Sequence, residues 1–221
     1  MSATGRSIAA GTGYVRHPDD YFSTPGWATR AILPFLPLSG KIFEPAAGEG
    51  AIIAEILRFT KGRADVWGGE IDQDRTDTAN LTLVEEFGAR IDGLPYVHRG
   101  DALDRPWSQS DLVVTNPPFA LAMEFVQRFH EWVTAGATMA MLLRLNWLSS
   151  QKRARWLREN TPSVYVLPRR PSFTGNGTDS ADYGWFVWSP SPSTVRILDV
   201  ESTTKGEQKH HGAAAGIRDA V

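Results

Sequence analysis

The sequence predicts an α/β fold in which helices cover both faces of a mostly parallel sheet. Short runs of β-branched and apolar residues alternate along the chain with stretches whose apolar residues recur at helical spacing. Such alternation is typical of βαβ units, which build a doubly wound sheet. Near the end, residues 163–168 and 183–189 are rich in β-branched and aromatic residues and flank a turn-rich loop. These two runs predict a closing antiparallel hairpin.

The predicted elements follow one another in a regular order. The first strand, KIF, precedes a glycine-rich turn and a helix in which Ile52, Ile53 and Ile56 share one face. Later strands are predicted at DVWGGEID, YVHRGD, DLVVTN and ATMAMLLRL. Further helices are predicted at DQDRTDTANLTLVEEF and LAMEFVQRFHEW.

Length and composition restrict the class of protein. With 221 residues and 42% hydrophobic content, the chain can bury one core, so one domain is expected over 19–200, with disordered ends at 1–18 and 201–221. The absence of Cys excludes disulfides and thiolate metal sites. No signal peptide and no run of 18 apolar residues is found, which predicts a cytoplasmic protein. The net charge of -2 excludes no partner, because a whole-chain balance can hide a local basic patch.

The segment FEPAAGEG, residues 43–50, contains the first chemical motif. Gly48 and Gly50 lie in a tight loop between a strand and a helix, where a ligand can approach the backbone. The loop departs from the dinucleotide pattern, and Glu44 at its head suits a ligand with an ammonium group better than a pyrophosphate. A plain turn without a ligand is the alternative.

Further polar residues follow the later strands. Glu70, Asp101 and Asn116 each come where a predicted strand ends. Either acid alone is most often a solvated loop residue. Because the carboxyl ends of parallel strands surround the ligand crevice of an open α/β sheet, their shared placement favours a binding site.

The stretch DLVVTNPPFA raises the question of why a strand ends so abruptly. Proline fixes φ, removes a backbone donor and restricts the residue before it, so Pro117 and Pro118 make a rigid turn. The turn is either structural only, or it holds the Asn116 amide and the Phe119 ring for chemistry.

Taken in order, the motifs FEPAAGEG, GGEID, GD and NPPF resemble those of the S-adenosylmethionine-dependent N6-adenine methyltransferases, particularly small phage-type and orphan bacterial DNA methylases. The segments DYFSTPGWATRAILPFL and RPSFTGNGTDSADYGWFVW resemble that family's N-terminal helix and a late segment. The resemblance covers roughly residues 19 to 190. It implies a Rossmann-like methyltransferase fold, a doubly wound, mostly parallel seven-stranded sheet with a C-terminal antiparallel hairpin.

The resemblance implies S-adenosyl-L-methionine as cofactor. The glycine loop then takes the methionine portion, Glu70 holds the ribose hydroxyls and Asp101 accepts from the adenine amine. Thr24 and Pro25, predicted as the N-cap and first residue of a helix, meet the methionine carboxylate. The implied cofactor-binding residues are Thr24, Pro25, Glu44, Pro45, Ala46, Gly48, Gly50, Glu70, Ile71, Asp101 and Asn116.

The resemblance also implies the reaction, methylation of adenine N6 in double-stranded DNA. The Asn116 side-chain oxygen and the Pro117 carbonyl accept from the amine, while Pro118 keeps the turn rigid and Phe119 stacks on the extruded base. Phe173 is either a second aromatic near that base or a hairpin packing residue. No thiolate nucleophile is needed, and the lack of Cys excludes the attack used for carbon-5 methylation of cytosine.

A basic segment supplies a candidate DNA contact. Residues 144–170 contain seven Lys or Arg residues and one acid, Glu159, an excess of six positive charges. Within it, Arg153 and Arg155 are predicted to bind phosphates beside the extruded base. A solvated helix face is the alternative.

Several alternatives stay open from sequence. The same turn can hold the amine of an RNA adenine or the amide of a protein glutamine, and a catalytically silent nucleic-acid-binding relative is a third possibility. Phe119 favours DNA, because the enzymes that act on glutamine usually have Tyr there. No metal is predicted, since His210 and His211 lie in the tail without further ligands. The recognition sequence, the biological role and the oligomeric state, with a homodimer among the options, are not determined by the sequence.

Overall fold

The structure is a computed structural model that describes residues 23–173 and 179–200. Both predicted disordered ends lie outside the described residues. The strands are β1 (Lys41–Glu44), β2 (Asp65–Glu70), β3 (Val97–Arg99), β4 (Leu112–Thr115), β5 (Thr138–Arg144), β6 (Ser163–Val166), β7 (Tyr183–Trp188) and β8 (Val195–Ile197). The helices are α1 (Gly26–Ile32), α2 (Ala51–Thr60), α3 (Gln73–Phe87), α4 (Ala122–Thr134) and α5 (Gln151–Glu159). Short 3-10 helices span Leu33–Phe35, Phe119–Leu121 and Leu145–Leu148.

All these strands form one sheet in the order β3-β2-β1-β4-β5-β7-β6-β8. β1 to β5 pair in parallel, whereas β7 pairs antiparallel with both β5 and β6. The predicted mostly parallel sheet with an antiparallel hairpin is therefore confirmed. The strand order reverses between β1 and β4, which is where open α/β sheets form their ligand crevice.

β8 is one strand more than the seven expected. It pairs in parallel with β6 at the edge of the sheet, and its three residues are exposed. An edge strand of this length is defined by backbone pairing alone. With no buried face to produce an alternating pattern, the sequence carried no signal for it.

The two faces of the sheet pack against different helices. Because side chains alternate along a strand, Ile42 packs on one face with α1, α2 and α3, and its neighbour Phe43 packs on the other with α4 and α5. The second face is rich in aromatics: the Phe43 ring centre lies 4.2 Å from that of Trp67 and 5.1 Å from that of Trp107. Most tryptophans are thus packing residues.

Parallel pairing brings the carboxyl ends of β1, β2, β4 and β5 to one side of the sheet. This side runs across the strand ends and is here called the carboxyl edge; it is distinct from the lateral edge that β8 forms. β7 begins at this edge, because Tyr183 pairs with Arg144, the last residue of β5. α5 starts here as well and leads back to the opposite edge, where β6 begins at Ser163. Across 23–173 and 179–200, every helix is too short or too polar to cross a lipid bilayer.

Candidate active site

The glycine loop connects β1 to α2 through a tight turn. Gly48 and Gly50 adopt left-handed backbone conformations with φ of 53° and 84°, and Gly50 is the N-cap of α2. The left-handed conformation of Gly50 favours glycine, and a Cβ there would lie only 3.0 Å from Leu83 Cδ1, which leaves little room for a side chain. The Ala47 amide donates to the Gly69 carbonyl at 2.9 Å, which ties the loop to β2.

Glu44, at the end of β1, is a buried carboxyl group. Its side chain is 2% exposed, and Oε2 has no hydrogen-bond partner among the described residues. Burial raises the pKa of Glu44 well above its ordinary value; the Ile53 backbone amide works against this shift and the charge of Glu70 adds to it. A cationic group bound in the crevice would supply the missing partner and favour the ionised carboxylate.

Glu70, at the end of β2, is also buried but fully engaged with the backbone. Its Oε2 accepts from the Gly48 amide and its Oε1 from the Asp72 amide, both at 2.9 Å. The side chain therefore fixes the glycine loop against β2, a role that the sequence did not predict. A carboxylate oxygen can accept more than one hydrogen bond, so the expected ribose contact is compatible with this geometry. Ile71, the next residue, is half-buried.

Asp101 lies beside Glu70 at the end of β3. The Gly100 amide donates to the Glu70 carbonyl at 2.8 Å, which holds the two chain segments together. The Asp101 Oδ1 accepts from the Leu103 amide at 2.8 Å. The structure thus places Glu44, Glu70 and Asp101 along one edge, as expected from the strand ends.

The start of α1 differs from the prediction. The helix begins at Gly26, and Pro25 is its N-cap, because a ψ of 131° keeps Pro25 outside the helix. Thr24 precedes this N-cap, so its assignment as N-cap was wrong, as was that of Pro25 as the first helical residue. The buried Thr24 hydroxyl instead accepts from Asn116 Nδ2 at 3.1 Å, a contact between residues 92 positions apart.

The Asn-Pro-Pro-Phe turn follows β4 directly and explains its abrupt end. Pro117 and Pro118 have no backbone donor, so pairing stops at Thr115. Pro118 then accepts from the Leu121 amide at 2.9 Å, and Phe119 begins a 3-10 turn. Asn116 lies at the strand-order reversal, across from the glycine loop that follows β1.

Phe119 belongs to an aromatic cluster at the carboxyl edge. Its ring centre lies 6.1 Å from Phe173 and 5.8 Å from Tyr183, and the rings of Phe173 and Tyr183 are 5.2 Å apart. The Arg144 guanidinium lies 4.5 Å from the centre of the Phe119 ring. Phe173 thus packs on the hairpin residue Tyr183 and lies beside Phe119; a contact with a target base stays a prediction. The remaining loop residues 174–178 lie outside the described residues.

The two predicted DNA-binding arginines lie on α5 in different surroundings. Arg153 is half-buried, with its guanidinium 4.9 Å from the Trp147 ring centre and its Nε donating to the Trp147 carbonyl at 2.9 Å. The Arg155 side chain is 87% exposed, with an ion pair to Glu159 at 3.4 Å. Arg155 is therefore available at the surface, whereas Arg153 also packs α5 against the preceding segment.

Two features of this edge were not recognised in the sequence. Arg144 was only one charge within a basic segment, yet it contacts the Phe119 ring. Arg169, from the same segment, places its guanidinium 4.1 Å from the centre of the Trp27 ring in α1. Both contacts join residues from distant elements, so no spacing in the sequence could have predicted them.

No cluster of three or more potential metal ligands occurs in the part of the chain that the structure describes. Burial lowers the pKa of both His98 and His130, which lie on different elements. His210 and His211 lie outside the described residues.

Comparisons with known proteins find similar structures but no similar sequences. Neither a protein-family model nor a curated protein matches the sequence. Solved structures do match, among them the type I restriction-modification methyltransferase subunit from Streptococcus thermophilus (TM-score 0.61, 18% identity over 76% of this chain) and the type I restriction enzyme EcoKI M protein (0.62, 17%, 79%). A dimethyladenosine transferase from Plasmodium falciparum matches with a TM-score of 0.53 and 13% identity over 77% of this chain and 63% of its own length.

The chain has the S-adenosylmethionine-dependent methyltransferase fold. It spans 44% and 45% of the length of the two restriction-modification proteins. Within this methyltransferase fold, the residues present suit the cofactor that the fold implies. The buried Glu44 Oε2 offers an acceptor to an ammonium group, and the Gly48–Gly50 turn keeps side chains away from the crevice.

Proposed function

We propose that the protein transfers a methyl group from S-adenosylmethionine to the N6 amine of adenine in DNA. The observation that carries this proposal is the placement of Asn116 and its turn at the strand-order reversal, across from the glycine loop. A methyl donor and an acceptor amine bound on either side of this point would be brought together. Proximity of this kind accounts for a large share of many enzymatic accelerations.

The turn supplies what an adenine amine needs. The lone pair of this nitrogen is delocalised into the ring, so hydrogen-bond acceptors must hold the N–H groups and favour a pyramidal nitrogen. Asn116 Oδ1 and the Pro117 carbonyl are such acceptors in the proposed site. The two prolines fix both in place, which reduces the reorganisation needed in the transition state.

The cofactor, when bound, supplies an electrophilic methyl group on a sulfonium centre. In the proposed site Glu44 binds its ammonium group, Glu70 its ribose hydroxyls and Asp101 its adenine amine. Thr24, Pro25 and the loop residues Pro45 and Ala46 line the methionine end, and Ile71 packs on the cofactor base. Both glutamates are nearly inaccessible to water, which strengthens hydrogen bonds to a bound cation or hydroxyl.

The aromatic cluster favours a nucleobase over a glutamine amide as substrate. Phe119 and Phe173 are half-buried with ring centres 6.1 Å apart, and a planar base can stack on such rings, whereas a small amide needs less aromatic contact. A base that is taken out of a duplex needs such stacking partners to replace the neighbouring bases. Among the proteins of similar fold, two are named as type I restriction enzyme or restriction-modification subunits and one as a dimethyladenosine transferase.

The basic residues of α5 support DNA as the carrier of that base. Lys152 and Arg155 are exposed in the first half of α5, which starts at the carboxyl edge. Phosphates on either side of an extruded nucleotide would pass this surface. In the proposal these side chains contribute sequence-independent affinity.

The test is a labelling experiment with matched substrates. Methyl-labelled S-adenosylmethionine is incubated with the protein and unmethylated plasmid DNA, total RNA or a protein extract, and the labelled fraction is digested. Label recovered from DNA as N6-methyldeoxyadenosine supports the proposal. Label recovered in RNA adenine or in protein glutamine would identify that molecule, and not DNA, as the substrate. Cofactor binding without any methyl transfer would indicate a catalytically silent relative.

A further inference from the structure

Arg144 lies at the carboxyl edge and is not among the site residues predicted from the sequence. It is the last residue of β5, the strand next to β4, and its guanidinium is 4.5 Å from the centre of the Phe119 ring. A guanidinium within about 6 Å of an aromatic face makes a favourable cation–π contact. Phe119 itself belongs to the turn that the proposed function uses.

The guanidinium is held by two further residues. Arg144 Nε donates to the Tyr183 hydroxyl at 3.0 Å, and Nη2 lies 3.4 Å from Asp179 Oδ2. The Tyr183 hydroxyl in turn donates to the same Asp179 oxygen at 2.7 Å. Burial raises the pKa of Tyr183, so this hydroxyl keeps the proton that it donates.

The network is anchored in the sheet through Tyr183. Tyr183 is fully buried and pairs with Arg144 across the antiparallel β5–β7 ladder. Its ring also lies 5.8 Å from Phe119. Phe119 is therefore contacted by a buried ring, by Phe173 and by a charge whose position is set by the sheet.

The side chain of Arg144 is 42% exposed, so it does more than fill the core. Direct binding of a DNA phosphate is a competing role for such an arginine. The nearby carboxylate of Asp179 and the engaged Nε make Arg144 less suited to it than Lys152, which is exposed on α5.

We propose that Arg144 is a positioning residue that fixes the Phe119 ring for stacking of the target base, with Tyr183 and Asp179 fixing Arg144. The inference rests on the proposed function. Without these contacts, the half-buried Phe119 side chain could occupy other rotamers and the base would be held less well. The effect should appear in the chemical step, because misplacement of a bound group lowers turnover steeply.

The experiment compares Arg144→Met and Arg144→Lys with wild type in steady-state methylation of unmethylated plasmid DNA. We expect kcat to fall about 10- to 100-fold in Arg144→Met, with KM for DNA and the dissociation constant for S-adenosylmethionine within about twofold. Arg144→Lys should recover only part of the loss, because an ammonium cannot reproduce the planar fork. The control is Arg196→Met. Arg196 lies on the edge strand β8, with its guanidinium 4.9 Å from the centre of the Phe35 ring, and its replacement should leave kcat unchanged.

A double-mutant cycle separates positioning from general stabilisation. If Arg144 acts through Phe119, Arg144→Met should have little further effect in a Phe119→Leu background. Tyr183→Phe, which keeps the ring and removes only the hydroxyl, should give an intermediate loss of kcat. This variant also keeps the test valid if Arg144→Met lowers the melting temperature below the assay range.

Each other result overturns the proposal in a recognisable way. Additive losses in the Phe119→Leu background, or unchanged kcat in both Arg144→Met and Tyr183→Phe, exclude the positioning role. A raised KM for DNA with a shallower salt dependence and unchanged kcat makes Arg144 a phosphate ligand instead. Failure of the wild-type protein to methylate DNA removes the proposed function and this role together, whereas the other outcomes leave the proposed function intact.

Discussion

The two sides of the crevice are built in different ways. On the side of β1 and β2, backbone amides and buried carboxylates hold the structure together: Gly48 donates to Glu70, and Ala47 donates to Gly69. On the side of β4 and β5, side chains from distant parts of the chain meet, as when Asn116 contacts Thr24. The first side depends on local loop geometry and the second on the correct assembly of the whole sheet.

This difference predicts different responses to substitution. Changes on the glycine-loop side should act mainly on cofactor affinity and stability, because the groups involved are buried and bonded to the backbone. Changes on the turn side should act mainly on turnover, since they alter how a substrate is held. A variant that violates this division would show that the two sides are coupled.

Asn116→Ala should lower kcat by about 10²- to 10³-fold and leave the S-adenosylmethionine dissociation constant nearly unchanged. The substitution removes an acceptor that matters most in the transition state. Turnover is measured on unmethylated plasmid DNA and affinity by calorimetry. Asn80→Ala is the control, because Asn80 bonds only to the backbone of Val97 in the described contacts and should affect stability rather than kcat. Undiminished methylation by Asn116→Ala would exclude Asn116 from catalysis.

Glu44→Gln should weaken S-adenosylmethionine binding by about 1–3 kcal/mol, the scale of a hydrogen bond to a charged group. Calorimetry at neutral pH measures the loss, and kcat at saturating cofactor should change much less. An unchanged dissociation constant would show that Glu44 does not contact the cofactor.

The same substitution should change how stability without cofactor depends on pH. Burial raises the pKa of Glu44, so the folded chain retains this proton to higher pH than the unfolded chain does. The stability contributed by Glu44 is complete below its ordinary pKa and is lost as pH rises through the raised value. Urea unfolding of wild type and Glu44→Gln over this pH range should therefore show a steeper decline for wild type, and parallel curves would contradict a buried, protonated Glu44.

Thr24→Val should lower kcat about fivefold, since it removes the hydroxyl that accepts from Asn116 without changing side-chain volume. A neutral hydrogen bond contributes about 1 kcal/mol, which corresponds to this factor. Thr24→Ser, which keeps the hydroxyl, should retain most activity. A weaker cofactor affinity with unchanged kcat would show that Thr24 acts only at the methionine end of the cofactor and not through Asn116.

Replacing both Lys152 and Arg155 with Gln should produce the smallest effect, on DNA binding alone. The slope of log affinity against log salt concentration should become shallower by about 0.9 for each phosphate that the variant no longer neutralises. Arg153 is left in place because its packing on Trp147 would confuse the result. The control replaces Lys61 and Arg63, two exposed cations at the opposite edge of the sheet, and equal slopes for both double variants would place the DNA path elsewhere.

Local sequence patterns were sufficient for the fold class and for much of the site. The glycine loop requires left-handed conformations at Gly48 and Gly50, and proline chemistry alone ends β4 before Pro117. Both are encoded within a few residues, so they could be predicted without the fold. Glu44, Glu70 and Asp101 could be grouped because each comes where a strand ends, and parallel strands end at one edge.

The tertiary structure decided the contacts between these parts. Thr24 resembles a helix cap in sequence, but its hydroxyl accepts from Asn116 once α1 is packed beside the turn. Arg144 and Arg153 belong to one basic segment, yet one contacts Phe119 and the other Trp147. Strand order and register determine which distant side chains meet, and neither is written in the spacing of residues along the chain. For that reason the sequence alone predicted the chemical groups of the crevice, while only the folded sheet determined what holds each of them in place.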